Sequence, residues 1–192
     1  MAFIDNDLQR IRRSKKMMLW FAMISMAMSF AGLTSAYIVS KSRPDWLVNF
    51  VIPSAFYYST VAVVLSSITM YFARNAVQNQ EHSRGMMLLA TTWILGAVFV
   101  IFQFIGFSEF ISQGFFFTGG ESTITTSFVY LIVLLHLAHL FSGMIALSVV
   151  IYNHYKQKYI NGQTLGIELA ETFWHFVDFL WLYLFLFFIF VR

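Results

Sequence analysis

The sequence predicts an all-α polytopic membrane protein of five transmembrane helices. Three observations carry this: apolar residues are abundant, charged residues are scarce, and the apolar residues fall into five long runs. Hydrophobic residues make up 59% of the 192 and charged residues 11%, against roughly 25% charged in soluble domains. A soluble chain of this size keeps too much surface to hide so many apolar side chains, so its main solvent is lipid. The chain has no cysteine, which excludes disulfides, thiolate metal sites and cysteine nucleophiles.

A spanning helix needs about 20 predominantly apolar residues, because the hydrocarbon core is roughly 30 Å thick and a helix rises roughly 1.5 Å per residue. The first run, about Met17–Ser40, contains no charged residue. The polar stretch before it does not fit a cleavable signal peptide, so this span is the expected targeting signal. The second run, about Ile52–Ala73, opens with Pro53, which suits a first turn where its missing N–H has no partner anyway. The third covers about Met86–Ser108, the fourth about Thr123–Ile151, and the last, rich in aromatics, about Ala170–Val191. Runs of this length are helices, since barrel strands alternate over roughly ten residues. The connections Lys41–Val51, Arg74–Gly85, Glu109–Ser122 and Tyr152–Leu169 are too short for a soluble domain, so residues 1–192 read as one membrane domain.

Basic residues set the expected orientation. Nine of the 12 Lys and Arg (Arg10, Arg12, Arg13, Lys15, Lys16, Arg74, Arg84, Lys156 and Lys158) fall on the side of the N-terminus. Lys41, Arg43 and Arg192 fall on the other. The N-terminus is therefore expected in the cytoplasm and the C-terminus outside it. The basic arm before the first span has a sufficient partner in anionic lipid headgroups.

Charged groups at membrane depth are costly and face protein or water rather than lipid tails. Glu168, Glu171, His175 and Asp178 are spaced by three, four and three residues, one stripe on the fifth helix. In the fourth span His136 and His139 are three apart, and Ser142 and Gly143 continue their face. A short connection favours adjacency of these two spans, so Asp178 is expected to pair with His139 or His136, with Gly143 allowing close approach. Such groups read as interhelical glue, as a proton or lipid-headgroup site, or as a metal or haem site; no carboxylate in the fourth span completes a metal set with its two histidines. The other two histidines fall in the connections. Gln103 reads as a helix–helix hydrogen bond, the methionines Met17, Met18, Met23, Met26 and Met28 as soft packing, and the tryptophans partly as interface anchors.

Around this stripe the sequence resembles a known family. Glu171-Thr-Phe-Trp174-His175-Phe-Val-Asp178-Phe-Leu-Trp181 is similar to the final-helix signature of cytochrome c oxidase subunit III, the haem–copper oxidase subunit III family, and Glu168 stands where that family has a glutamate before it. His136-Leu-Ala-His139 with Gly143 resembles its H-x-x-H-x-x-x-G helix, and Gln103 falls at its L-Q position. Ser25-Met-Ala-Met-Ser-Phe30-Ala-Gly32-Leu33 resembles its S-E-V-M-F-F-A-G-L helix more loosely. The likeness runs from about Trp20 to the C-terminus.

The resemblance implies an accessory subunit of a bacterial terminal oxidase in the cytoplasmic membrane. Such a subunit has no catalytic centre, haem or copper of its own. It packs on subunit I, which holds those groups, binds phospholipid in a cleft and supports proton uptake. On this reading His136, His139, Glu168, Glu171, His175 and Asp178 form a polar intramembrane network, and Trp174, Trp181, Gly143 and Gln103 pack against lipid or subunit I. Long members have seven spans, and this sequence resembles them from the third onward, so an extended subunit I is expected to carry the first two or the oxidase to lack them. The family's glutamates of the S-E-V motif and after L-Q are here Met26 and Gly106, so roles of those carboxylates do not carry over. A related subunit of a nitric oxide reductase, or of a quinol oxidase, fits the same residues. A small transporter or channel fits less well, because there is no inverted repeat and Pro44 and Pro53 interrupt no helix.

Overall fold

The computed structural model describes residues 2–43, 46, 52–117, 119, 123–159 and 164–191, with the side chains of 2–6 and 8 left out. Pro44, Val51, Ser122 and Arg192, which entered the reading above, lie outside the described residues. The described residues form five helices: α1 (Ala2–Ser40), α2 (Ser54–Gln78), α3 (His82–Ser112), α4 (Ile124–Tyr155) and α5 (Leu165–Val191). Each is long and apolar enough to cross a membrane. Number and order match the five apolar runs, but the helices outlast the runs, because backbone hydrogen bonding continues where the chain leaves hydrocarbon for water.

The largest extension is at α1. Its 39 residues make a rod of about 58 Å, against a hydrocarbon core of roughly 30 Å. No Gly or Pro interrupts the basic arm, so the helix simply propagates through it. Pro53 does not occupy the first turn of α2 but the capping position before it, with its carbonyl accepting from the Phe56 N–H. Thr123 caps α4 through a reciprocal pair of bonds with Thr126. His82 and His154, expected in connections, instead begin α3 and end α4. The His154 Nε2 lies 3.0 Å from the His82 carbonyl, with the two rings 4.3 Å apart.

α2 and α3 form an antiparallel hairpin whose turn places Gln80 at φ 61. α5 packs on α1, α2 and α4; α4 packs also on α1 and α3. Among the described residues α1 approaches neither α2 nor α3, which leaves a notch between α1 and α2 with α5 as its floor. Trp174 and Trp181 fill the centre of the bundle with Phe30, Tyr37, Phe56 and Phe99. Two glycines make room: a Cβ on Gly96 would stand 2.9 Å from the Trp174 ring, and one on Gly106 would overlap Phe56. Of the α1 methionines expected to pack, Met23 is buried, while Met17, Met18 and Met28 point outward, where a flexible apolar side chain suits lipid equally well.

Candidate functional site: a polar seam between α2 and α5

The α5 stripe meets α1 at its first residue and α2 from there on. At its first turn Glu168 accepts from Thr164 Oγ1 at 2.8 Å and pairs with Lys16 of α1 at 2.8 Å, with Arg12 at 3.6 Å. One turn on, Glu171 meets Arg74 of α2 at 2.9 Å and lies 3.8 Å from His175 Nε2. His175 Nδ1 is 2.5 Å from Ser67 Oγ. Deeper still, Ser66 Oγ lies 3.2 Å from Asp178 Oδ2 and 2.8 Å from the Val63 carbonyl. That hydroxyl has one hydrogen for two acceptors, so its hold on Asp178 is partial. The same oxygen accepts from Trp174 Nε1 at 3.2 Å, and Trp181 Nε1 donates to Thr60 Oγ1 at 3.0 Å.

The partners on α2 have a register. Thr60, Ser67 and Arg74 recur every seventh residue, and they meet Trp181, His175 and Glu171 in reverse order, as antiparallel helices require. Ser59 and Ser66 form a parallel row, Ser59 accepting from Gln103 Nε2 of α3 at 2.9 Å. Interhelical hydrogen bonds of this kind contribute about 0.6 kcal/mol each on average in a bilayer, up to about 1.7. Their number along one interface, more than any single one, fixes the rotation of α5. The sequence reading named Arg74 only as a basic residue of a connection, whereas it lies within α2, and it missed Ser59, Thr60, Ser66 and Ser67, although their heptad spacing was visible.

The expected pairing of Asp178 with the α4 histidines does not form. α4 and α5 are neighbours, and Gly143 does meet Trp174, a Cβ there lying 3.5 Å from its ring. The polar stripe, however, is rotated away from α4. His136 is fully buried between Phe99 and Trp181, ring centroids 5.8 and 5.2 Å away, and neither of its nitrogens has a partner among the described residues. His139 turns to α1, its ring 5.6 Å from Phe30, and its Nδ1–H donates to the Leu135 carbonyl at 2.7 Å. The six expected network residues thus split: Glu168, Glu171, His175 and Asp178 line one seam, and the two histidines of α4 stand apart from it. The outward packing expected of Trp174, Trp181, Gly143 and Gln103 is also corrected. All four are buried within the chain, because the indoles are needed to fill the bundle and their N–H groups find hydroxyls on α2.

Together these features define a multi-pass α-helical membrane protein whose ionisable groups at depth are tied into helix–helix contacts. Among the described residues no three His, Cys, Asp or Glu gather as a metal site would require. The sequence pattern of the family described as cytochrome c oxidase subunit III matches residues 13–191, and the chain belongs to that family. It is 26% identical over 184 residues to cytochrome bo(3) ubiquinol oxidase subunit 3 of Buchnera aphidicola subsp. Acyrthosiphon pisum (strain APS), covering 93% of this chain and 87% of that protein. To cytochrome c oxidase subunit 3 of Thermostichus vulcanus it is 26% identical over 170 residues, covering 85% and 80%. To the probable cytochrome c oxidase subunit 3 of Rickettsia bellii (strain RML369-C) it is 34% identical over 133 residues, covering 68% of this chain and 46% of that protein. The chain therefore spans most of some relatives and less than half of others. Its function is that of an oxidase subunit III.

Proposed function

We propose that the chain is an accessory subunit of a bacterial haem–copper terminal oxidase, set in the cytoplasmic membrane with its N-terminus inside and its C-terminus in the periplasm. It has no redox centre of its own. It packs on the catalytic subunit I, which carries haem and copper, holds phospholipid at their boundary and supports proton uptake by that subunit. The observation that carries this reading is the α2–α5 seam. Glu171, His175 and Asp178 are engaged with an arginine and two hydroxyls of α2, and Glu168 with Lys16 and Arg12 of α1, an arrangement that holds helices in place rather than one that opens a ligand set.

The nine basic residues on the N-terminal side support the orientation, and the Lys16–Glu168 and Arg74–Glu171 pairs then sit at the cytoplasmic face. The test is purification from native membranes in mild detergent. A haem–copper subunit that co-purifies with the tagged chain supports the proposal. Depleting the chain is expected to spare initial oxygen reduction and shorten sustained turnover; a chain that purifies without any haem-bearing partner refutes it.

A further inference from the structure

His82 and His154 lie outside the seam. His82 begins α3 and His154 lies in the last turn of α4, at the end of the bundle from which α1 starts. They line a pocket of about 510 Å³ with Val77, Gln80, Gln157 and Tyr159. His154 is 4% exposed, and its Nε2 stands 3.0 Å from the His82 carbonyl. A carbonyl only accepts, so Nε2 carries the hydrogen and the neutral ring keeps a lone pair on Nδ1. That nitrogen has no hydrogen bond among the described residues. The His82 ring, 4.3 Å from that of His154, is exposed and has room to turn. Gly85 permits the arrangement, since a Cβ there would stand 3.2 Å from His154 Nε2 and 2.9 Å from Val77 Cγ2. Gln80 and Gln157 are the two non-glycine residues with left-handed backbone among the described ones, at φ 61 and 57. Each follows the cap of a helix that ends at the pocket, α2 or α4, a place where glycine is favoured. Here each such turn brings a side-chain amide to the pocket instead.

We infer that this pocket binds a divalent transition cation through His154 Nδ1 and the His82 imidazole, with amide oxygens of Gln80 and Gln157 and water completing the shell. A histidine that ligates a metal through one nitrogen characteristically donates its other N–H to a carbonyl or carboxylate, which fixes tautomer and orientation. His154 already makes that bond. The separation of the rings fits as well: two imidazoles at right angles on one ion, each nitrogen about 2.1 Å from it, stand roughly 4.5 Å apart. This is an exchangeable site open to water, distinct from the closed centre of three or more ligands that is missing among the described residues. Ligand type selects the ion. No carboxylate lines the pocket and the chain has no cysteine, so calcium and magnesium, which take several anionic oxygens, are poor occupants. Imidazole suits zinc, copper(II) or nickel. α2 and α4 both end here, and two helix C-termini favour a cation against the one N-terminus of α3. A bound ion ties the α2–α3 turn to the end of α4. The inference goes beyond the oxidase reading and does not depend on it.

The test uses the full chain with a tag free of histidine, isolated from native membranes in mild detergent with whatever partners accompany it. The sample is stripped with chelator and titrated with Zn²⁺, and amide exchange is followed peptide by peptide in a mass spectrometer. Zn²⁺ is expected to slow exchange at residues 79–85 and 153–159 together, while Mg²⁺ at the same concentration leaves both unchanged. His82→Ala removes an exposed ring and spares the packing, and it is expected to raise the zinc concentration for half protection by about tenfold or more. His154→Phe keeps a ring in the buried position and abolishes the protection; should that variant not fold, His82→Ala decides alone. His139→Gln, whose ring meets α1 instead, leaves the titration where it was. Absence of protection at either segment overturns the inference. So does protection that Mg²⁺ gives equally, or a titration that His82→Ala does not shift.

Discussion

Breaking the Arg74–Glu171 pair is the sharpest perturbation of the seam. The two charges stand 2.9 Å apart, Glu171 with 6% of its side chain exposed and Arg74 with 36%. Their attraction at an effective dielectric of roughly 20 is about 6 kcal/mol. Desolvation of the carboxylate and solvent screening of the half-open guanidinium offset much of that, leaving a coupling of about 1–3 kcal/mol. Arg74→Leu strands a buried carboxylate whose remaining ion-pair contact among the described residues is His175 at 3.8 Å, and is expected to destabilise the bundle by about 3 kcal/mol. Glu171→Leu removes the carboxylate with its desolvation cost and so costs less. The double variant recovers part of the Arg74→Leu loss, so the single losses exceed the double loss by the coupling energy. Reversible unfolding in mixed micelles, followed by the fluorescence of five tryptophans, measures each. Losses that add within about 0.4 kcal/mol refute the ion pair as a structural element.

Other positions give independent checks. Gly96→Ala puts a methyl 2.9 Å from the Trp174 ring and is expected to cost about 1–3 kcal/mol through overpacking, with a shift in tryptophan emission; an unchanged midpoint contradicts the close approach. His136→Leu removes two buried nitrogens that have no partner, so stability is expected to rise by about 1 kcal/mol, and a loss in the same unfolding assay shows that the imidazole is engaged. Thr123→Ala deletes the reciprocal cap of α4 and is expected to cost about 1 kcal/mol, seen as faster amide exchange confined to the first turn.

How much of this was legible in the sequence differs from element to element. The five helices were, because bilayer thickness imposes a minimum run and nothing else in the chain satisfies it. Their ends were not: Lys, Arg and Gln close a hydropathy window without ending a helix, and α1 continues through them. The α5 stripe could be read because charge at depth stands out against 27 mostly apolar residues. Its partner could not. A short connection made α4 a neighbour, which it is, but adjacency does not fix rotation, and α5 side chains touch all four other helices. The decisive residues on α2 were Ser and Thr, whose hydroxyls in membrane helices also bond their own backbone, as Ser59 and Ser66 do here. That double habit hides their interhelical bonds from a reading of spacing alone.

The packing of α1 has a consequence for biogenesis. This helix is the first of the five to leave the ribosome, yet the helices it packs on are the last two, α4 and α5: Lys16 meets Glu168, Phe30 meets His139, and Thr34 meets Tyr183 across 149 residues. The α2–α3 hairpin, by contrast, assembles from neighbours in sequence. During translation α1 must therefore wait in lipid or beside the insertion machinery until α4 and α5 arrive. Chains halted before α4 hold a finished hairpin and an unattached first helix, a natural substrate for membrane quality control.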